Sequence, residues 1–367
     1  MEIVRLEEIC ELITDGTHQT PTYSKEGYIF LSSKNVTSRK IDWQNIKYIS
    51  EELHRELIKR VIPKKNDILL AKNGTTGVGA IVDKEIEFDI YVSLALLRPN
   101  DKVLPRYLFW AVNSPAAKRK FDASLKGIGV KNLHLSAIKK IEINIYNKET
   151  QEKIIKVLDK LQKILEERQK LLENLDLLSK CLFSFATKRA RNLLLNEVAD
   201  ITMGQSPDSK YYNTLKEGLP FFQGKTEFGE NYIKEIKYYC SCPLKIAEEN
   251  TILMSVRAPV GAVNISKVRC CIGRGLAAIV PKKIQMLYLF FALKNLEKEI
   301  ERKGVGSTFK AITKKDIEKI EIPIIEIKEQ VDFVNKILKI EKSKFEIQKS
   351  IEETQKLFDS LMEKYFG

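Results

Sequence analysis

The sequence predicts an α+β fold built twice. Two tandem globules are separated by two long helices, which form an antiparallel coiled coil about a pseudo-two-fold internal repeat. Three observations carry this reading. The stretch "KGIGVKNLHLSAIKKIEI" at 126–143 returns as "KGVGSTFKAITKKDIEKIEI" at 303–322. Landmarks before and after it recur in the same order. Each copy ends in a run of roughly 37–40 residues with no Gly or Pro, in which charged residues interleave with aliphatics.

The first copy opens with "LEEICELITDG" (Leu6–Gly16), which answers "LNEVADITMG" (Leu195–Gly204). "EGYIFLSSKNV" (Glu26–Val36) answers "EGLPFFQGKTEF" (Glu217–Phe228), and "IKY" at Ile46 answers "IKY" at Ile236. "NDILLAKNGTTGVGAIV" (Asn66–Val82) answers "NTILMSVRAPVGAV" (Asn250–Val263), and "RYLFWAV" (Arg106–Val112) answers "LYLFFAL" (Leu287–Leu293). The offset drifts from 191 down to 177, as short loop insertions would cause, then settles at 179 to the C-terminus. Within each copy, short β-rich runs ("DILLA", "YVSLALL"; "TILMSV", "LAAIV") alternate with Gly, Asn and Pro turns. The runs "PRYLFWAVNSPAAKRKF" and "MLYLFFALKNLEKEIERK" read as helical, and "KIEINI" or "KIEIPI" closes each globule as a strand. The boundaries are 1–148 for the first globule, 149–190 for the first helix, 191–325 for the second globule and 326–367 for the second helix.

A helix of that length extends about 55–60 Å. The first carries apolar residues at alternating steps of four and three: Ile154, Leu158, Leu161, Leu165, Leu172, Leu175 and Leu182, with Arg168 and Ser179 in the same frame. The second repeats the frame at Phe333, Ile337, Ile340, Ile347, Ile351, Phe358 and Leu361, with Lys344 and Thr354 interposed. Sustained heptads argue coiled coil. A further stripe recurs every seven residues at Val157, Ile164, Leu171 and Leu178. Connectivity favours antiparallel pairing, because parallel helices would force the second globule to bridge a whole helix length. Arg168 stands where the other helix has Ile347, and Lys344 where the other has Leu165. Such departures are a means of pinning register.

The 367 residues carry a net charge of +13. The globules hold +6 each and the helical segments +2 and −1, so the excess sits in two separate bodies. Two basic bodies suit two contacts with a polyanion, or ordinary solubility. No apolar run is long enough for a membrane span, and the N-terminus lacks the basic start and apolar core of a signal peptide, so the expected location is cytoplasmic. Six cysteines (Cys10, Cys181, Cys240, Cys242, Cys270, Cys271) lack zinc-knuckle spacing and read as buried apolar thiols, with no metal expected. No P-loop, G-x-S-x-G elbow, H-E-x-x-H or C-x-x-C is present; nor is a Gly-rich cofactor loop or an Asn/Asp-Pro-Pro-aromatic tetrad. His18 and His134 sit in loops, facing a partner or bonded to backbone, and His54 reads as solvated in a charged helix.

These residues resemble the specificity subunit of type I restriction–modification systems. "DGTHQTPTYSKEGYIFLSSKNV" (Asp15–Val36) is similar to one opening of a target-recognition domain in that family, and "GQSPDSKYYN" with "GLPFFQG" (Gly204–Gly224) to the other. "GIGVKNLHLSAIKKIEI" resembles the Gly-rich loop and closing strand before the spacer helix. The order globule, helix, globule, helix matches along the whole chain. The second Gly-rich loop, "GVGSTFKAI", departs by lacking Val-Lys-Asn. The resemblance implies a subunit with no catalytic residues of its own, whose globules each read one half of an asymmetric bipartite site in double-stranded DNA. It implies two modification subunits docked on the helices, which bind S-adenosylmethionine and methylate adenine N6. Restriction subunits with ATP-driven translocation and nuclease activity would join them.

Phosphate contacts call for Lys and Arg, and base edges for amides, hydroxyls or Arg. The phosphate candidates are Lys34, Arg39, Lys72, Lys126 and Lys131 in the first globule, and Lys225, Arg257, Arg274, Lys303 and Lys310 in the second. The base-reading candidates are Asn35, Thr37, Ser38, Asn73, Asn132 and His134, then Gln223, Thr226, Ser307 and Thr308. Gly127 with Gly129 and Gly304 with Gly306 either let the backbone approach a duplex or make tight turns. Two rivals stand beside this reading: a coiled-coil interaction scaffold without DNA recognition, and an enzyme with a metal site at the second-half cysteines.

Overall fold

The computed structural model describes residues 1–125, 132–303 and 311–367. The chain divides into two compact units, one of residues 1–169 with 349–367, the other of residues 170–348. The first unit runs β1 (Glu2–Arg5), α1 (Leu6–Ile9), β2 (Cys10–Asp15), β3 (Tyr28–Leu31), β4 (Lys47–Ile49), α2 (Glu51–Leu57), β5 (Ile68–Ala71), β6 (Gly79–Ile81), β7 (Phe88–Ile90), β8 (Leu94–Pro99), α3 (Pro105–Val112), α4 (Pro115–Ala123), α5 (Leu135–Lys139) and β9 (Glu142–Ile145), then enters the long helix α6 (Lys148–Ala186). Its strands form a four-stranded sheet in the order β2-β8-β5-β6, a three-stranded sheet β4-β3-β7 and a pair β1-β9.

The central strand β5, "ILLA", is wholly buried because both faces are covered. Ile68 and Leu70 pack with Tyr107, Leu108 and Trp110 of α3. Leu69 and Ala71 point the other way, toward Leu31, Phe88 and Ile90 of the smaller sheet. The run "PRYLFWAVNSPAAKRKF", read as helical, holds two helices. Asn113 ends α3, and the Ser114 hydroxyl accepts from the Ala117 amide at 3.1 Å to cap α4, whose first residue is Pro115.

The second unit repeats the plan with β10 (Arg191–Leu194), α7 (Leu195–Val198), β11 (Ala199–Met203), β12 (Tyr212–Asn213), β13 (Leu219–Phe222), β14 (Tyr238–Cys240), β15 (Ile246–Ala247), β16 (Thr251–Ser255), β17 (Val263–Ser266), β18 (Cys270–Ile272), β19 (Leu276–Pro281), α8 (Met286–Lys303), α9 (Lys314–Glu318), β20 (Glu321–Ile324) and the long helix α10 (Ile327–Phe366). Its four-stranded sheet, β11-β19-β16-β17, has the wiring of β2-β8-β5-β6, and it stands with a five-stranded sheet β12-β14-β13-β18-β15 and a pair β10-β20. The copies agree down to single turns. Asn66 and Asn250 both stand before the central strand with positive φ (75° and 61°), and their backbone amides donate to the carbonyls of Val82, just past β6, and Ser266 of β17.

The long helices form the expected antiparallel pair, visible inside each unit. In the first, Ile154 and Leu158 of early α6 are buried with Phe358, Met362 and Phe366 of late α10. In the second, late α6 supplies Phe183 and early α10 supplies Phe333, Ile337 and Ile340 to one cluster. Of the remaining frame residues, Leu161, Leu165, Leu172, Leu175, Leu182, Ile347, Ile351 and Leu361 are half-buried. Arg168 donates to the Ser350 carbonyl at 3.0 Å and to the Thr354 hydroxyl, so its charge is accommodated within the seam. The further stripe stays largely open to solvent, with Val157, Leu171 and Leu178 exposed.

Candidate nucleic-acid interface

In the first unit, strand ends bring three loops together. Beyond β5, the Lys72 carbonyl accepts from the Leu133 amide at 3.0 Å, and Asn73 bridges Asn132. On the other side the Lys72 amide donates to the Ser93 carbonyl at 2.8 Å. Gly16, at the end of β2, lies so close to Ile90 that an added Cβ would stand 1.8 Å from its carbonyl oxygen, so only glycine lets these segments meet. Asn73 and Asn132 are half-buried and His134 is exposed in this cluster. The Asn132 side-chain oxygen is buried and has no hydrogen-bond partner among the described residues. Lys34, Thr37, Ser38 and Arg39 lie exposed on the segment after β3. Arg39 sits at φ 61°, in the left-handed region.

Two candidates are engaged inward. Asn35 is buried; its carbonyl oxygen accepts from the Ser32 amide at 3.0 Å and its amide donates to the Asn45 carbonyl at 2.9 Å, so the side chain folds its own loop. Lys72 is 4% exposed and its ammonium donates to Asp15 at 2.5 Å. Arg60 reaches the same carboxylate at 2.6 Å, and His18 at 3.3 Å, a side-chain partner where a backbone one was the alternative. Burial works against the Asp15 charge, but the bond and charge of Lys72, then those of His18, outweigh it and hold the carboxyl below its ordinary value. His54, expected in solvent, is buried. It hydrogen-bonds Asp89 at 2.7 Å and stacks on Tyr28 with ring centroids 3.7 Å apart. Sequence spacing could not signal this, because Asp89 and Tyr28 arrive from other strands.

The second unit sets its cluster the same way. The Val256 carbonyl accepts from the Ile312 amide at 3.1 Å, and Arg257 bridges Ala311, as Asn73 bridges Asn132. The Val256 amide donates to the Gly275 carbonyl at 2.9 Å. Gly275 packs on Gln223, and the Arg274 amide bonds the Ser206 hydroxyl at 3.1 Å. Gln223, Lys225, Thr226, Arg257 and Arg274 are all exposed, and Lys225 leans to Glu297 at 3.4 Å. Candidates Lys126, Lys131, Ser307, Thr308 and Lys310 and the paired glycines Gly127, Gly129, Gly304 and Gly306 lie outside the described residues; Lys303 closes α8. Each unit thus presents an exposed polar rim at the same ends of the same strands, lined by different residues. Of the cysteines, Cys10, Cys240, Cys270 and Cys271 are buried as expected, while Cys181 and Cys242 are exposed. Among the described residues no three His, Cys, Asp or Glu side chains gather as a metal site would need.

Residues 1–175 and 192–356 match the family model of the type I restriction modification DNA specificity domain, once for each copy. The chain belongs to this family. Its specificity domains are 32% identical over 358 residues to the putative type I restriction enzyme MjaX specificity subunit of Methanocaldococcus jannaschii, covering 90% of this chain and 84% of that one. A stretch of the chain is 26% identical over 137 residues to the EcoBI specificity subunit of Escherichia coli, covering 37% of this chain and 29% of that one. A solved structure described as the basis of complex assembly and conformational transition of the type I R-M system matches at TM-score 0.66 and 25% identity, over 99% of this chain and 97% of that one. The type I S subunit from M. genitalium shares the fold at TM-score 0.62 and 18% identity, over 100% and 96%. The role of such specificity subunits is recognition, not catalysis. Among the described residues no helix is long and apolar enough to cross a membrane.

Proposed function

We propose that this chain reads an asymmetric, bipartite site in double-stranded DNA, one half with each unit, for a type I restriction–modification complex in the cytoplasm. The observation that carries the reading is the pair of equivalent rims with unlike linings. Asn73, Asn132 and His134 stand in one, and Gln223, Arg257 and Arg274 in the other. One scaffold position offering an amide in one copy and a guanidinium in the other suits two different base sequences. The exposed lysines and arginines beside each rim suit phosphate contacts.

The long helices supply docking surface. In the second unit Leu171, Leu178 and Phe185 recur at heptad spacing on α6, and Val331, Leu338 and Phe345 on α10, all exposed. Val157 and Leu357 are exposed in the first unit. Open apolar stripes of this kind mark partner surfaces. Their proposed occupants are two modification subunits, which carry S-adenosylmethionine and methylate adenine N6. Restriction subunits with ATP-driven translocation and nuclease activity complete the assembly. No cofactor is assigned to this chain.

Duplex affinity measured against salt tests the DNA role. Neutralising about five phosphates through residues such as Lys34, Arg39, Lys225, Arg257 and Arg274 predicts a log–log slope of roughly −4 to −5. A flat response would favour a protein scaffold instead.

A further inference from the structure

In the second unit the loop that follows Gln223, Lys225 and Thr226 is fastened to the long helix α10. Lys344 occupies a seam position, with its side chain 13% exposed. Its ammonium meets Asp176 of α6 at 2.9 Å, Glu341 of its own helix at 3.2 Å and Glu230 of the loop at 2.8 Å. The next loop residue, Asn231, donates to Glu341 and accepts from Lys294 of α8 at 2.6 Å. Lys294 also reaches the Glu230 carbonyl at 3.3 Å. On the loop's other side, the Asn264 amide bonds the Gly229 carbonyl at 3.1 Å, and the Ile265 amide bonds the Asn231 carbonyl at 2.9 Å. The loop is therefore held between strand β17 and the helices. Burial opposes the Lys344 charge, but its bonds to Glu230 and Asp176 outweigh that and hold it above the ordinary ammonium range.

The first unit has a counterpart with its charges reversed. Lys40 occupies the place of Glu230, counted from the shared "IKY". It pairs with Glu166 of α6 at 2.8 Å, and Glu166 is adjacent to Leu165, the equivalent of Lys344. That pair is exposed, with 70% and 44% of its side chains in solvent, and Glu166 also accepts from Gln162 of its own helix at 3.0 Å, a looser arrangement than the half-buried network of the second unit.

We propose that Glu230 and Asn231, anchored through Lys344 and Glu341, are positioning residues for base reading in the second unit. They fix the angle at which Gln223, Lys225 and Thr226 meet the duplex. Lys40 with Glu166 performs the same task in the first unit with opposite polarity and a weaker hold. This rests on the DNA-reading role proposed above.

The test uses the full chain co-expressed with its modification subunits and maps methylated adenines genome-wide. If the wild-type chain yields no methylated motif, the DNA-reading role fails, whatever the variants do. Given a wild-type motif, Glu230→Gln with Asn231→Ala is expected to relax one half of it. Discrimination there should fall about tenfold, as loss of one or two charge-assisted bonds implies, with the other half as strict as before. Lys40→Ala is expected to relax the opposite half by a smaller factor. Lys344→Arg, which keeps the charge and the reach to Glu230, should preserve the motif and shows that the helix-side anchor acts through its bonds. Motifs unchanged in both loop variants would overturn the inference. So would equal relaxation of both halves, or relaxation of the same half by both variants.

Discussion

Asp15 and Lys72 occupy the places that Met203 and Val256 hold in the second copy. One fold site has thus been filled by a buried ion pair in one half and by two apolar side chains in the other. Removing one member of a buried pair costs about 3–5 kcal/mol, while replacing both by apolar groups of similar size is often neutral. Asp15→Met alone strands the Lys72 ammonium and should lower the guanidinium midpoint markedly. Adding Lys72→Val should restore most of the loss, since Arg60 and His18 are exposed enough to turn to solvent. The sign with pH follows from the depressed Asp15 carboxyl. Its contribution is complete above the unfolded value of 3.8 and is lost as pH falls through the lower folded value. The stability gap between wild type and Asp15→Asn should stay constant from neutral pH to about 5 and close below 3.8; a gap that widened in acid would contradict the pairing. None of this was legible beforehand, because Lys72 beside a Gly-rich turn has the local look of a phosphate ligand and its partner lies 57 residues away.

The two charged residues in the helix frame have different standing. Thr354 keeps its own bond to the Ser350 carbonyl at 2.7 Å, so Arg168→Ile leaves no orphan and places there the residue that its repeat partner, Ile347, already supplies. Lys344→Leu, again the repeat's own residue, removes the cation bonded to Asp176, Glu230 and Glu341 and leaves Lys294, whose bonds go to Asn231 and the Glu230 carbonyl, beside three carboxylates. Thermal melting should show Arg168→Ile within a degree or so of wild type, and Lys344→Leu lower by about 5 °C, for a loss of about 2 kcal/mol. Equal shifts would mean that the carboxylates play no part. At this scale the sequence was most readable. Gly- and Pro-free heptad runs marked the presence of both long helices, and the central strands showed as continuous apolar runs. Strand order was not legible, since the parallel pairing of β3 with β7, or β13 with β18, joins segments far apart in the chain. The α3–α4 break was written in Asn113-Ser114-Pro115, a cap followed by a helix-starting proline inside a run that is otherwise helical in composition.

Over the whole molecule, duplication is the governing fact. The same four-stranded sheet wiring, the same positive-φ asparagines and the same bridge beyond the central strand recur in both units. What differs is the lining of the rims and the charges that fasten the loops. That division is what a reader of two unlike half-sites requires: common architecture to present each surface, and divergent side chains to distinguish base edges. The rims were legible only in part. Offsets between the copies located the loops, but which side chains face outward depended on burial, and Asn35 and Lys72 turned inward. The most direct test of the account is the wild-type methylation motif itself, determined with the modification subunits present. The account predicts two unlike blocks of specified bases separated by a fixed run of unspecified positions. A single uninterrupted motif, or two identical blocks in inverted repeat, would contradict it.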